Sequence, residues 1–398
     1  VKEIYAAPGN AGTAQLAHNL EISPTDIESL AKAAKENRID LTVVGPEAPL
    51  AAGIVDQFQA RGLTIFGPTK AAAQIEASKV FAKELMQKYH IPCARGVSFS
   101  DYDQAKEYLQ KQSPPIVIKA DGLAAGKGVI VADSIPQALK ALSSLMETKM
   151  LGTAGDKVVI EERLFGKEMS AFAFTDAHAV VPVVPACDYK RVYDGDQGPN
   201  TGGMGSYSPP YFLTPRLDKA VKESIMEPAV KAMRAEGRPY KGALYSGLMV
   251  TNNGPKVLEF NARLGDPETQ VVLPRLKTDL VDIMLAVIDN KLDSINIEWR
   301  RDACVGVVIA SAGYPGSYKT GFPISGLDEV DKEILVFHAG TKAGSAPGQI
   351  LTNGGRVLTV VATGKNIAEA RKKVYQNISR IHFEGCHYRK DIAEIEVR

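Results

Sequence analysis

Residues 116–132 read IVIKADGLAAGKGVIVA. Two β-branched runs, Ile116-Val117-Ile118 and Val129-Ile130-Val131, flank a loop carrying Gly122, Gly126 and Gly128. β-Branched residues favour extended backbone, so the stretch is expected to form strand, glycine-rich loop, strand. Lys119 closes the first strand and Lys127 sits inside the loop. Glycines let main-chain N–H groups approach an anion, and lysines add point charge, which suits a polyphosphate. The P-loop pattern is excluded, because three residues rather than four separate Gly122 from Gly126 and Lys127 is followed by Gly128, not a hydroxyl residue. The dinucleotide pattern opens a helix, whereas this loop leads into a strand. Two readings remain: a hairpin lying over a nucleotide, or a plain glycine-rich hairpin with two solvated lysines.

The chain around it has 398 residues, 45% of them hydrophobic, enough for two to four domains. A net charge of +1 without long single-sign runs argues against a nucleic-acid surface or a polybasic membrane patch. No apolar run approaches the roughly 20 residues needed to span a bilayer. Cys93, Cys187, Cys304 and Cys386 are scattered, with no metal or disulfide spacing, as in a reducing cytosol. The expectation is a cytoplasmic protein, monomeric, without nucleic-acid or membrane partners.

Residues 1–77 alternate short apolar strands with helices and predict a doubly wound parallel sheet. Strands are expected at 4–7, 41–45 and 63–67, with one helix capped by Thr25 or Asp26 and another over Leu50–Phe58. Its loops Ala7–Thr13 and Gly45–Leu50 fall where such sheets bind ligands, although turn chemistry alone also explains them. Residues 78–98 read as a helical linker, and 99–163 as a small α/β unit holding the central stretch. Residues 164–298 read as a larger sheet domain, and 299–398 as a last α/β unit that covers or completes a site without a catalytic constellation. Val158–Leu164 is a strand that passes from apolar to acidic, and a strand end reaching solvent is its bland explanation. Cys187–Pro210 is polar and glycine-rich and reads as a long structureless loop, whose Asp188, Lys190 and Arg191 suit a charged substrate.

After a hairpin turning at Asn252-Asn253-Gly254 comes EFNARLGDPE, residues 259–268. Glu259, Asn261 and Arg263 alternate and share one face of an extended segment. A carboxylate and an amide oxygen suit Mg²⁺, which takes few protein ligands together with substrate phosphates. An adjacent arginine binds phosphoryl or carboxylate oxygens. The bland alternative is an exposed strand face with a salt bridge.

These stretches resemble the ATP-grasp ligases, and among them the glycinamide ribonucleotide synthetases of purine synthesis. The strings that carry the resemblance are APGNAGT (7–13), VGPEAPL (44–50), ASKVFAK (77–83), IVIKADGLAAGKGV (116–129), VIEERLFGKEMS (159–170), GPNTGGMGSYSP (198–209) and RLGDPETQ (263–270). The resemblance implies an α/β ATP-grasp architecture: an N-terminal parallel-sheet domain, a small ATP lid, a larger central α+β domain and a C-terminal α/β domain. It implies ATP and Mg²⁺ or Mn²⁺ as cofactors, and glycine and 5-phosphoribosylamine as substrates, joined through glycyl phosphate. Lys79 and Lys119 would contact ATP phosphates under a flap from Gly122 to Gly128, including Gly126 and Lys127. Glu161, Glu162 and Leu164 would line the adenine hinge, and Glu168 would hold the ribose. Glu259 and Asn261 would ligate the metal. Arg263, Gly265 and Asp266, with Asp188, Lys190 and Arg191, would surround glycine and the reacting phosphoryl group, with Arg263, Lys119 and Asp266 closest to the chemistry. Asn10, Gly12, Thr13, Glu47 and Pro49 would contact phosphoribosylamine. The family begins upstream of Val1 with a first strand and a glycine-rich loop that would bind the sugar phosphate. Neither is in this sequence, so ATP binding is expected to survive better than phosphoribosylamine binding.

Overall fold

In a computed structural model of the chain, which describes residues 1–123 and 128–394, the opening stretch forms the expected hairpin. Ile116–Ala120 pairs antiparallel with Val129–Ala132, so that Lys119 faces Val129. Val158–Glu162 takes the other edge of Ile116–Ala120, and Gly96–Phe99 completes a four-stranded lid. Helices Tyr102–Gln110 and Ile135–Met146 cover one face. Asp101 and Ser134 cap them by accepting from Gln104 N and Gln137 N, which satisfies first-turn donors. Leu109, Leu142 and Leu145 pack on Ile118 and Ile160, all fully buried, and fix the lid as a unit of its own.

The larger sheet is antiparallel throughout and has eight strands. In spatial order they are Gly254–Asn261, Lys241–Thr251, Lys167–Asp176, Val180–Asp188, Gly205–Ser208, Ala303–Ala310, Arg356–Gly364 and Leu335–His338. Lys167–Asp176 lies inside the sheet with helices over both faces, which is why Met169 to Asp176 reads as an unbroken buried run. Gly205–Ser208 lies between strands from either side of residue 298, so one ladder runs through the boundary suggested by the sequence. The expectation of a structureless Cys187–Pro210 is therefore corrected. That segment holds Arg191–Tyr193 paired with Gln197–Asn200, then Gly205–Ser208. Its glycines and prolines hid strands so short that alternation carries little signal, and of their partners only Ala303–Ala310 is distant in sequence.

In the N-terminal unit the parallel pairing forms two separate ladders rather than one sheet. Tyr5–Ala6 pairs with His18–Asn19, and Thr42–Val43 with Ile65–Phe66. Among the described residues no strand hydrogen-bonds to both. Asp26 caps the helix Ile27–Glu36 as expected. The Leu50–Phe58 helix is instead two, Glu47–Ala52 and Ile54–Ala60, broken at Gly53, whose φ of 95° is left-handed. The break turns the chain so that Leu50, Ile54, Val55 and Phe58 all enter one core with helices 70–77 and 79–88.

Candidate active site

A cleft of about 930 Å³ opens where the N-terminal unit, the lid, the large sheet and the C-terminal unit meet. Glu259 and Asn261 stand on its floor at the end of an edge strand, two residues apart and on one face. Among the described residues neither side chain has a hydrogen-bond or ion-pair partner, so their oxygens remain available to the cleft. Burial alone would raise the Glu259 carboxyl, but Lys79, Lys190, Lys119 and Arg263 together hold it below the usual carboxylate range. Among the described residues no group of three or more His, Cys, Asp or Glu is placed to hold a metal ion. The pair thus fits a hard cation that completes its shell from phosphate and water.

Lys119 reaches this floor from the lid. Its Nζ donates to the carbonyl of Leu258, next to Glu259, at 2.8 Å. Glu161, on the neighbouring lid strand, lies 2.7 Å from Lys119 and 2.6 Å from Lys83, and all three are buried. The acidic end of Val158–Glu162 therefore does not reach solvent at Glu161, and Glu162 pairs with Arg95 at 2.8 Å and Lys256 at 3.6 Å. Lys79 opens the helix Lys79–Lys88 and lines the cleft. Asp121, just after the lid strand, fixes that helix end: its Oδ1 accepts from Ser78 Oγ and from Val80 N, each at 2.8 Å. The flap root and the Lys79 helix are thus one hydrogen-bonded corner.

Arg263 donates to Glu47 at 2.9 Å and lies 3.7 Å from Glu76. This joins the Glu259–Arg263 segment to the Gly45–Leu50 loop and to the helix Lys70–Ala77. Burial pushes Glu76 up to about 7, against the pull of Arg263 and of the Ala262 N–H that Glu76 accepts at 2.7 Å. Between the unfolded value of 4.5 and about 7 the folded chain keeps a proton that the unfolded chain has released. The contribution of Glu76 to stability is therefore present at low pH and lost as pH rises through that window. Chemical denaturation of Glu76→Gln against the parent should show the difference shifting in the variant's favour by on the order of 2–3 kcal/mol from about pH 4.5 to about pH 8. A pH-independent difference would contradict this.

Asp188 and Lys190 line the cleft 4.0 Å apart. Burial raises Asp188 to about 7, although Lys190 opposes it. Lys190 in turn is held well above the ordinary lysine range, first by Asp188. Asp266 faces the cleft with Oδ2 2.7 Å from Arg356 Nη2, and Arg356 also donates to Gly202 O at 2.8 Å. The C-terminal unit thus contributes Arg356, with Tyr314 and His338, to the wall. Gly128 and Gly265 line the cleft, as does Leu123 beside Gly122, while Gly126 and Lys127 lie outside the described residues.

Some expected residues are not brought to the cleft. Arg191 is exposed on its short strand and donates to Gly198 O. Asn10 is engaged by its own turn, its Oδ1 accepting from Gly12 N and Thr13 N and its amide donating to His338 O at 2.8 Å. Thr13 donates to Asn10 O or Asn19. Asn10, Gly12 and Thr13 therefore buttress the rim residue His338, and Pro49 is buried in its helix. Leu164 is half-buried at the end of the lid, and Glu168 is exposed 3.3 Å from Lys190. Sequence reasoning missed Glu76, Lys83, Asp121, Glu268 and Arg356. Glu76 had a signal, a carboxylate within the apolar helix AAAQIEA, and Arg356 had none.

A lid of antiparallel strands and two helices, closing on a sheet edge that carries Glu-x-Asn-x-Arg, defines the chain as an ATP-grasp ligase. Models of the N domain, the ATP-grasp (A) domain and the C domain of phosphoribosylglycinamide synthetase match residues 1–76, 77–269 and 304–395. The chain belongs to that family. It is 51% identical over 99% of its length to the phosphoribosylamine–glycine ligase of Caldanaerobacter subterraneus, covering 94% of that protein. It is 51% identical to the ligase of Halalkalibacterium halodurans, over 99% of this chain and 91% of that one. The crystal structure of the Thermotoga maritima ligase superposes with a TM-score of 0.86 at 36% identity, over 98% of this chain and 94% of that one. Biotin carboxylase of Campylobacter jejuni, solved as its β,γ-ATP complex, shares the fold at a TM-score of 0.74 and 17% identity, over 96% and 86% of the two chains. The chain is accordingly an ATP-dependent carbon–nitrogen ligase that joins glycine to phosphoribosylamine, the second step of purine biosynthesis. Among the described residues no helix is long and apolar enough to cross a membrane.

Proposed function

We propose that the cleft activates glycine as an acyl phosphate. The glycine carboxylate attacks the γ-phosphorus of ATP and the bond to the ADP oxygen breaks. The amine of phosphoribosylamine then attacks the acyl carbon, loses a proton and expels phosphate, leaving glycinamide ribonucleotide. Lys79 and Lys119 hold the phosphates under the flap rooted at Gly122 and Gly128. Glu161, Glu162 and Leu164 would border the adenine and Glu168 would take the ribose, at the margin of the cleft rather than in its wall. Glu259 and Asn261 would hold magnesium or manganese, which supplies charge neutralisation at the phosphates. Arg263, Gly265, Asp266, Asp188 and Lys190 surround glycine, and Glu47, already paired with Arg263, borders the phosphoribosylamine side. Closure of the lid keeps water from the acyl phosphate. The enzyme works as a monomer in the cytoplasm, a reducing compartment that suits cysteines which form no disulfide among the described residues, and burial raises the Cys304 thiol to about 12, too high for a nucleophile.

The observation that carries this reading is the meeting of Lys79, Glu259, Asn261 and Arg263 in one cleft, with Lys119 in an adjoining recess that Lys79 and Glu259 also line. Glycine labelled with ¹⁸O in its carboxylate should pass one label to phosphate during ATP turnover. Hydroxylamine supplied in place of phosphoribosylamine should trap glycine hydroxamate. Unlabelled phosphate from a turning-over enzyme would overturn the acyl phosphate.

A further inference from the structure

Lys190 reaches the cleft from a segment that the large sheet barely holds. The strand Val180–Asp188 ends just before it, and Arg191–Tyr193 pairs with Gln197–Asn200 in a ladder separate from the large sheet. Tyr189 keeps two main-chain bonds back toward that sheet, its N–H donating to Gly205 O at 2.9 Å and its carbonyl accepting from Met204 N at 2.7 Å. The Lys190 carbonyl accepts from Thr201 N at 2.7 Å and from Thr201 Oγ1 at 2.8 Å, but Thr201 belongs to the same excursion. The buried apolar anchor is small, Val192 against Met204 and Ala310. Yet the Lys190 ammonium lies 3.3 Å from Glu168 and 4.0 Å from Asp188, a placement that a shift of about 1 Å would spoil.

Residues 387–393 bind the excursion from the C-terminal unit. They hang from the large sheet, because Ala310 N donates to His387 O at 2.7 Å and His387 N to Ala310 O at 2.9 Å. The helix Ile367–Ile378 holds them too: Arg371 donates to Lys390 O and Ile392 O, and Tyr375 to Arg389 O. From that backing His387 Nε2 donates to Val192 O at 2.9 Å, Lys390 N to Asp194 at 2.7 Å and Ala393 N to the Tyr189 hydroxyl at 3.0 Å. Arg389 is the centre of the contact, with 1% of its side chain exposed. Its Nε and Nη2 donate to the two oxygens of Asp391, each at 2.7 Å. Its Nη1 donates to Asp196 Oδ1 at 2.8 Å and to Arg191 O at 3.0 Å, and its guanidinium carbon lies 4.8 Å from the centre of the Tyr189 ring. One planar fork therefore grips the residue on each side of Lys190. A lysine there would keep the charge and lose the fork.

We propose that Arg389, which does not line the cleft, is the positioning residue for Lys190. It fixes Tyr189 and Arg191, and through them the Lys190 backbone, so that the ammonium stands ready in the cleft. This rests on the reading above that Lys190 borders the reacting groups. The C-terminal unit then does more than wall the cleft, since it sets a charged group that the central unit contributes. The cost of ordering that group is met on folding and not again at each turnover.

Lys190→Ala, Arg389→Lys and the two together, in the full chain, form a double-mutant cycle read as kcat/KM for glycine through ADP release. Lys190→Ala should lower it about 100-fold and Arg389→Lys about 10-fold. With Lys190 already absent, Arg389→Lys should cost no more than about twofold. Affinity of Arg389→Lys for a non-hydrolysable ATP analogue, by calorimetry, should stay within about threefold of the parent. A residue that merely holds the fold costs the same factor with or without Lys190, so a further loss of about 10-fold in the double variant would overturn the proposal. Parent-like kinetics in Arg389→Lys would overturn it as well, because charge without the fork would then suffice, and so would an equal loss of the nucleotide. If melting shows that Arg389→Lys does not fold, Asp391→Asn takes its place in the cycle, since it leaves Asp196 as counter-ion to Arg389. Its loss of about fivefold must likewise vanish without Lys190, and its persistence would overturn the proposal. Parent-like turnover in Lys190→Ala is a different failure: it removes Lys190 from the reacting groups, and with that reading the role of Arg389.

Discussion

Glu259→Ala is expected to lower turnover about 1,000-fold or more at saturating magnesium, while the melting temperature moves by no more than a few degrees. The two halves of this expectation have different causes. Among the described residues the Glu259 side chain has no hydrogen bond and no ion pair, so its loss breaks no contact that holds the fold. Its neighbours Leu258 and Phe260 carry the strand's structural work, one through its carbonyl to Lys119 and the other in the core. What Glu259 supplies is charge in a place already biased for it. Lys79, Lys190, Lys119 and Arg263 outweigh burial and keep it ionised. Removing it takes away one of two protein oxygens offered to the metal and leaves four cations facing an emptied floor. Glu259→Gln separates these effects, because it keeps an oxygen ligand and loses the charge, and it should fall between the parent and the alanine variant. ADP release and thermal melting on the same preparations decide the matter. Alanine-variant turnover within tenfold of the parent would remove the metal role.

The parts of this site visible in the sequence were those built within one segment. Glu259 and Asn261 share a face because side chains alternate along a strand long enough for that to be read, and Arg263 follows in the bend just past its end and lines the same cleft. The lid hairpin was readable for the same reason, since β-branched residues flank its glycines and its register is local. What failed was long-range. Cys187–Pro210 could not be seen as strands, because Gly205–Ser208 finds its partner at Ala303–Ala310, about a hundred residues on. Arg191 was expected at the substrate with Asp188 and Lys190 because all three are charged residues of one polar segment and the family resemblance groups them. Successive residues in an extended segment face opposite ways, and Arg191 points outward to Gly198. Asn10 and Thr13 were expected at phosphoribosylamine on the family resemblance, whereas their composition alone reads as turn chemistry, and here their polar atoms close the turn itself. Arg356 was unreadable, since nothing near it in sequence suggests that it would cross to Asp266.

Lys119→Met should weaken ATP about 10- to 100-fold in calorimetry and leave the chain folded. The argument turns on the buried trio. Lys83 and Lys119 share one carboxylate, Glu161, so the group carries one excess positive charge. Both lysines border the recess shared with Lys79 and Glu259, but Lys83 turns to Ala94 O at 2.7 Å, whereas Lys119 reaches Leu258 O, beside Glu259, at 2.8 Å. The excess charge is therefore presented through Lys119. Replacing it by methionine removes one of the two counter-ions of Glu161 but leaves a neutral Lys83–Glu161 pair, and so avoids the roughly 3–5 kcal/mol penalty of a buried charge left alone. Lys83→Met removes the same net charge but keeps the Lys119 ammonium, now bound by Glu161 alone. If the phosphates are held by direct contact, Lys119→Met must weaken ATP well beyond Lys83→Met. If only the net field matters, the two variants will lose equal affinity, with the steeper salt dependence of a screened interaction. Unchanged ATP affinity in Lys119→Met would exclude both, and with them the assignment of the lid strand to the nucleotide.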